Sequence, residues 1–143
     1  MKVSAIIPAA GLGHRLPGVI EKPYIRLGNR PILTRTLEQL SASERIDEII
    51  VVVSKFNIDL CREKVVAKYN IPKVKHIISG GITRGESVYN GLRKADPQTD
   101  IILIHDGVRP FVAQSIINNS IDAAIDSGAV ICAVPVISTV KQI

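Results

Sequence analysis

The chain has 143 residues, 46% of them hydrophobic, which suits one globular domain over 1–143 with a buried core. A formal charge of +5 and a pI near 9.4 favour an anionic ligand, but the 18 Lys and Arg are spread along the chain, with no block resembling a nucleic-acid arm. Two Phe, three Tyr and no Trp leave it poor in stacking platforms for single strands, and no apolar run approaches membrane-spanning length, so neither a nucleic acid nor a membrane is expected as a partner.

The first predicted strand is "VSAII" (3–7), preceded by a single lysine and too short for a signal peptide, so a cytoplasmic protein is expected. It runs into "PAAGLGHRLPGVIEKP". Gly11 and Gly13 allow a sharp turn that presents N–H groups to phosphate oxygens. A dinucleotide fingerprint would place its third glycine where Leu16 stands, and would open straight into a helix, whereas Pro17 and Gly18 break one. The loop reads either as a wrap over a triphosphate that brings Arg15 and Lys22 to it, or as a solvated basic loop.

A helix is predicted from Pro31 ("PILTRTLEQLSAS"), a strand at "EIIVVV" (48–53), a helix over Ile58–Asn70 and a strand at "VKHII" (74–78). Ser54 follows the second strand, where an NAD-binding fold would carry an acidic residue. After the third strand, "SGGITRGESVYNGL" pairs Gly80 with Gly81 and then opens a helix at Arg84, with Thr83 and Glu86 spaced as a capping box. Ser87 either faces a base edge or bonds its own helix backbone.

The fourth strand, "DIILIH" (100–105), leads into "HDGVRPF". A carboxylate at the end of a buried strand is costly unless paired or metal-bound, so Asp106 is a candidate for Mg²⁺ or a ribose hydroxyl, and Arg109 for a second phosphate. The alternative is an ion pair between the two. His105 reads as a structural strand-end histidine, because a phosphate nucleophile arrives ionised. His14 and His76 have no partners at metal-ligand spacing.

A helix from Ala113 carries the stripe Ile117, Ile121, Ala124 and Ile125 and stops at Gly128. A fifth strand is predicted over "AVICAVPV" (129–136), followed by Thr139 and Lys141 at the same sheet edge. Cys61 and Cys132, in a predicted helix and strand without CxxC or metal spacing, read as buried free thiols. Strand and helix alternate throughout, which predicts a doubly wound, Rossmann-like, mostly parallel α/β sheet with right-handed crossovers and a ligand site beyond the strands' carboxyl ends.

Taken in order and spacing, "PAAGLGHRL…EKPY", "GGITRGESVYNGL", "IHDGVRPF" and "VPVISTVK" resemble the methylerythritol phosphate cytidylyltransferases of non-mevalonate isoprenoid synthesis. That resemblance implies a nucleotidyltransferase fold of glycosyltransferase-A-like architecture. It implies Mg²⁺-dependent transfer of CMP from CTP to 2-C-methyl-D-erythritol 4-phosphate, and a homodimer. It casts Arg15 and Lys22 as catalytic cations and assigns cytidine to Ala9, Ala10, Gly81 and Ser87, with Gly11, Gly13 and Gly80 in the same CTP-binding set. Asp106 falls at the metal and ribose, and Arg109 and Thr139 at the polyol phosphate, with Lys141 beside them. The chain departs from the family at Ile82 and Ser138, where acidic residues are frequent, and in length, since the family continues through a dimer arm and a further basic segment. A fragment of low activity is therefore expected. Ribitol phosphate cytidylyltransferase, which shares "HDxVRPF" with Val108, is the rival within the enzyme class, and a catalytically silent nucleotide-binding module is the rival outside it.

Overall fold

Apolar runs rich in Val and Ile can be buried on both faces only inside a parallel sheet, and four of the predicted strands build one. The computed structural model describes residues 1–11 and 21–135. In chain order the elements are β1 (Val3–Pro8), a 3₁₀ turn at Lys22–Tyr24, β2 (Arg26–Leu27), β3 (Arg30–Pro31), α1 (Ile32–Ser41) and β4 (Glu48–Val53), followed by a 3₁₀ turn at Lys55–Asn57. Then come α2 (Ile58–Cys61), a π-helical turn at Arg62–Ala67, β5 (Val74–Ser79), α3 (Arg84–Leu92), β6 (Ile101–Ile104) and α4 (Gln114–Ser127). The main sheet is parallel in the order β5-β4-β1-β6, and Ile6 pairs with Ile50 on one side and Ile104 on the other.

Side chains alternate across the pleat, so each central strand feeds two cores. Ala5, Ile7, Ile49, Val51 and Val53 pack with Leu33, Leu37 and Leu40 of α1, Cys61 and Val65 of the second helical segment, and Ile117 and Ile121 of α4. Ile6, Ile50 and Val52 face the other way, toward Ile78, Ala95 and Ile102. There α3 lies so close that a Cβ on Gly91 would come within 2.5 Å of Ile6 Cγ2. Each fully buried Ile or Val contributes about 1.5–3 kcal/mol relative to exposure, which makes β1 and β4 the rigid base of the sheet. The outer strands β5 and β6 are only partly buried, as edges must be.

Several expectations change. Residues 129–135 form no strand, and Ile131 and Val134 are 87% and 85% exposed. An apolar run becomes a strand only where another strand offers its hydrogen-bonding edge, and these described residues meet none. Cys132 is accordingly exposed, while Cys61 is buried as expected. The helix over 58–70 is interrupted by the π-helical turn and ends at Ala67. Pro31 lies in β3 and caps α1 rather than opening it, after a small hairpin that turns at Gly28 with φ +68°. Of the α4 stripe, Ile117 and Ile121 are buried but Ile125 is 44% exposed; Gly128 ends the helix with φ +79°.

Candidate active site

The chain runs from β1 outward to β4 and β5, then returns to place β6 on the other side of β1. The strand order reverses at β1, and in such sheets the crevice beyond the carboxyl ends at that point receives the ligand. Three loops meet there, after β1, β5 and β6.

The backbone stitches them to the sheet within three residues of each strand's end. Ala9 N–H donates to Val52 O at 2.7 Å, Gly80 N–H to Val53 O at 2.8 Å, and Gly107 N–H to Pro8 O at 3.0 Å. The loops then touch one another. A Cβ on Gly80 would sit 2.6 Å from Ala10 Cβ and 2.7 Å from Ser87 Oγ, and one on Gly107 would sit 2.9 Å from Ala9 Cβ. Ala9 and Ala10 thus form the seam between the Gly80–Gly81 turn and the loop after β6, which no larger residue could do without spreading it. Gly11 follows without a left-handed backbone, so nothing among the described residues explains its being glycine.

The start of α3 is fixed from both ends of its capping box. Thr83 Oγ1 accepts from Glu86 N–H at 3.1 Å, while Glu86 Oε2 accepts from Ile82 N–H at 2.6 Å and Thr83 N–H at 3.2 Å. Ser87, 3% exposed, accepts from Gly81 N–H at 3.1 Å and donates to Thr83 O at 3.0 Å. The Ser87 hydroxyl thus bonds the backbone of the glycine turn and of its own helix start. Ile82, where the family often has an acid, is 99% exposed.

Across the crevice, Asp106 joins two elements. Arg84 Nε and Nη2 donate to Asp106 Oδ1 at 3.0 and 2.8 Å, and Arg109 Nη2 pairs with Oδ2 at 3.0 Å. The Asp106 side chain is 22% exposed, against 62% for Arg84 and 73% for Arg109, so the carboxylate is the half-buried centre of a trio with net charge +1. The Asp106–Arg109 pair expected as the alternative to ligand binding is therefore present, and Arg84 joins it. Sequence reasoning missed Arg84. Its signal was the position itself: the first helical residue after a capping threonine, on the loop already singled out.

Burial lowers the His105 pKa, the neighbouring Arg109 lowers it further, and Asp106 opposes both. The His105 Nδ1 is buried without a hydrogen-bond partner. His105, Val108, Arg109, Pro110, Phe111 and Val112 line a shallow cavity of about 490 Å³ beside the trio.

Lys22 is exposed in the short turn anchored by buried Pro23. Gly13, Arg15, Thr139 and Lys141 lie outside the described residues. Among the described residues no group of three His, Cys, Asp or Glu could enclose a metal ion. A cation at Asp106 would find one carboxylate and would take the rest of its shell from substrate phosphates and water, a donor set that fits Mg²⁺. No helix among the described residues is long and apolar enough to cross a membrane.

The family model described as 2-C-methyl-D-erythritol 4-phosphate cytidylyltransferase matches residues 3–143. The enzyme of that name from Geobacter metallireducens is 44% identical over 146 residues, which cover 100% of this chain and 63% of the relative. That from Clostridium botulinum is 44% identical over 140 residues, 98% of this chain and 61% of the relative. The crystal structure of 4-diphosphocytidyl-2C-methyl-D-erythritol synthase from Anaerococcus prevotii aligns with a TM-score of 0.73 at 38% identity, covering 85% of this chain and 50% of that one. The chain thus spans about 60% of the length of curated relatives it matches, 59–63% for three of them.

Proposed function

The chain belongs to the 2-C-methyl-D-erythritol 4-phosphate cytidylyltransferase family, and from that premise we propose that it supplies the nucleotide-binding half of an enzyme that transfers CMP from CTP to 2-C-methyl-D-erythritol 4-phosphate. The observation that carries the reading is the joining of three loops at the strand-order reversal. A glycine turn is closed against Ala10, and a carboxylate between two arginines faces it from the next loop.

In this reading the backbone of Ala9, Ala10, Gly80 and Gly81 receives the cytidine, and Ser87 keeps the turn in shape. Gly11 and Gly13 extend the cradle to the phosphates. An oxygen of the acceptor's phosphate attacks the α-phosphorus of CTP, the bond from that phosphorus to the bridging oxygen breaks, and pyrophosphate leaves with the electron pair. No proton has to be removed from the nucleophile. Arg15 and Lys22 offset the charge that builds on the α-phosphoryl oxygens and the leaving group, and positioned cations of this kind are worth several kcal/mol in a water-poor site. Arg109 holds the acceptor phosphate by a two-pronged contact, with Thr139 and Lys141 beside it. Asp106 would hold Mg²⁺, which when bound neutralises part of the triphosphate charge.

The cytoplasmic setting, the single domain and the homodimer of the whole protein are carried as parts of the same proposal. Pyrophosphate release from CTP and Mg²⁺, with 2-C-methyl-D-erythritol 4-phosphate or ribitol 5-phosphate as acceptor, tests it when this chain is compared with a version extended to the length of its relatives. Release with the first acceptor in the extended form is expected. Release only with ribitol 5-phosphate would transfer the assignment to the sibling activity, and CTP binding without release with either acceptor would leave a nucleotide-binding module.

A further inference from the structure

The Arg84–Asp106 contact is unusual in where its atoms lie. Arg84 commits two nitrogens to a single oxygen, Oδ1, while Arg109 takes the other, so both oxygens of the Asp106 carboxylate are engaged by protein cations. The backbone of Arg84 is anchored: it is the first residue of α3, behind the capping box and the Ser87 bonds. Its guanidinium is not, being on a side chain 62% exposed. Such a group moves at small cost, since an exposed ion pair holds it only weakly. Glu86, the other carboxylate on this loop and helix start, already accepts from Ile82 and Thr83 N–H and has its role in the cap.

Resting on the reading of the site as a nucleoside triphosphate site, we propose that Arg84 is a further phosphate-binding residue whose guanidinium is parked on Asp106 until a polyphosphate arrives. When a cation or a ribose hydroxyl takes the Asp106 carboxylate, Arg84 loses its counter-ion. The trio already carries one surplus positive charge, so the incoming polyanion is the group that satisfies it. Asp106 thereby keeps the empty crevice from presenting two unneutralised guanidiniums side by side, and Arg84 changes partner without moving its backbone. The exchange breaks only ion pairs and hydrogen bonds, with no covalent change.

Calorimetric titration of this chain with Mg²⁺ and either CTP or inorganic triphosphate separates the possibilities. Arg84→Gln should weaken both ligands about tenfold, the loss expected for one charge-assisted contact. Arg84→Lys should restore part of that, and Arg93→Gln, which removes the same charge from the far end of α3, should change neither by more than about twofold. A tie that merely holds the loops together would show as loss of CTP affinity with triphosphate affinity intact, and this result overturns the proposal. So does Arg84→Gln binding both ligands as the parent does. If the parent binds triphosphate but not CTP, the cytidine reading falls while Arg84 is still judged by the triphosphate arm. If the parent binds neither, both fall.

Discussion

Ala10 and Gly80 touch: a single added carbon on Gly80 would stand 2.6 Å from the Ala10 methyl. These residues follow different strands, β1 and β5, with β4 between them, and their contact closes the candidate cytidine cradle. Gly80→Ala should therefore both lower stability by about 1–3 kcal/mol, as overpacking does, and weaken CTP binding. Urea unfolding and calorimetry on the same variant check the two effects.

Gly91→Ala is the matched control. It drives a carbon to 2.5 Å from Ile6 Cγ2 in the second core, away from the crevice. A similar loss of about 1–3 kcal/mol is expected, with little change in CTP affinity at temperatures where the variant stays folded. Equal loss of affinity in both variants would mean that the glycine turn has no special part in binding.

Ser87→Ala removes an acceptor from Gly81 N–H and a donor to Thr83 O, both made by a hydroxyl 3% exposed. The expected cost is about 1–3 kcal/mol for a buried polar group left without its partner. Thr83→Ala, which removes only the cap on Glu86 N–H, should cost about 1 kcal/mol. Thermal denaturation ranks them, and a Thr83 variant less stable than the Ser87 variant would contradict this account.

The two thiols should differ sharply. Burial pushes the Cys61 thiol up to about 12, so at pH 8 almost none is thiolate, and its sulfur is also out of reach. Cys132 is exposed. Iodoacetamide followed by mass mapping should label Cys132 alone in the native chain, with Cys61 reacting only on unfolding. Early labelling of Cys61 would place α2 outside the core.

If Arg109 holds the acceptor phosphate as proposed, Arg109→Ala should raise the KM for the polyol phosphate acceptor at least tenfold in the extended protein, through loss of a charge-assisted contact. The KM for CTP should change far less. Steady-state kinetics with each substrate varied in turn read this out, and a selective rise in the CTP value would move Arg109 to the nucleotide side.

Local sequence alone determined the strands β1, β4, β5 and β6, the capping box that starts α3 and the glycine that stops α4. These follow from residue type and short-range spacing, since apolar runs, caps and left-handed positions act within a few residues. The loops with chemistry were legible for the same reason, lying directly after those strands. The tertiary structure alone decided what the loops do to one another. Strand order brought Gly80 to Ala10 and Gly107 to Ala9, and it joined Arg84 to an Asp106 lying 22 positions further on. It also decided against a strand over 129–135, whose apolar run was sufficient locally but pairs with no strand of the sheet. Pairing between distant segments depends on which surfaces the assembled sheet presents, and no local pattern carries that information.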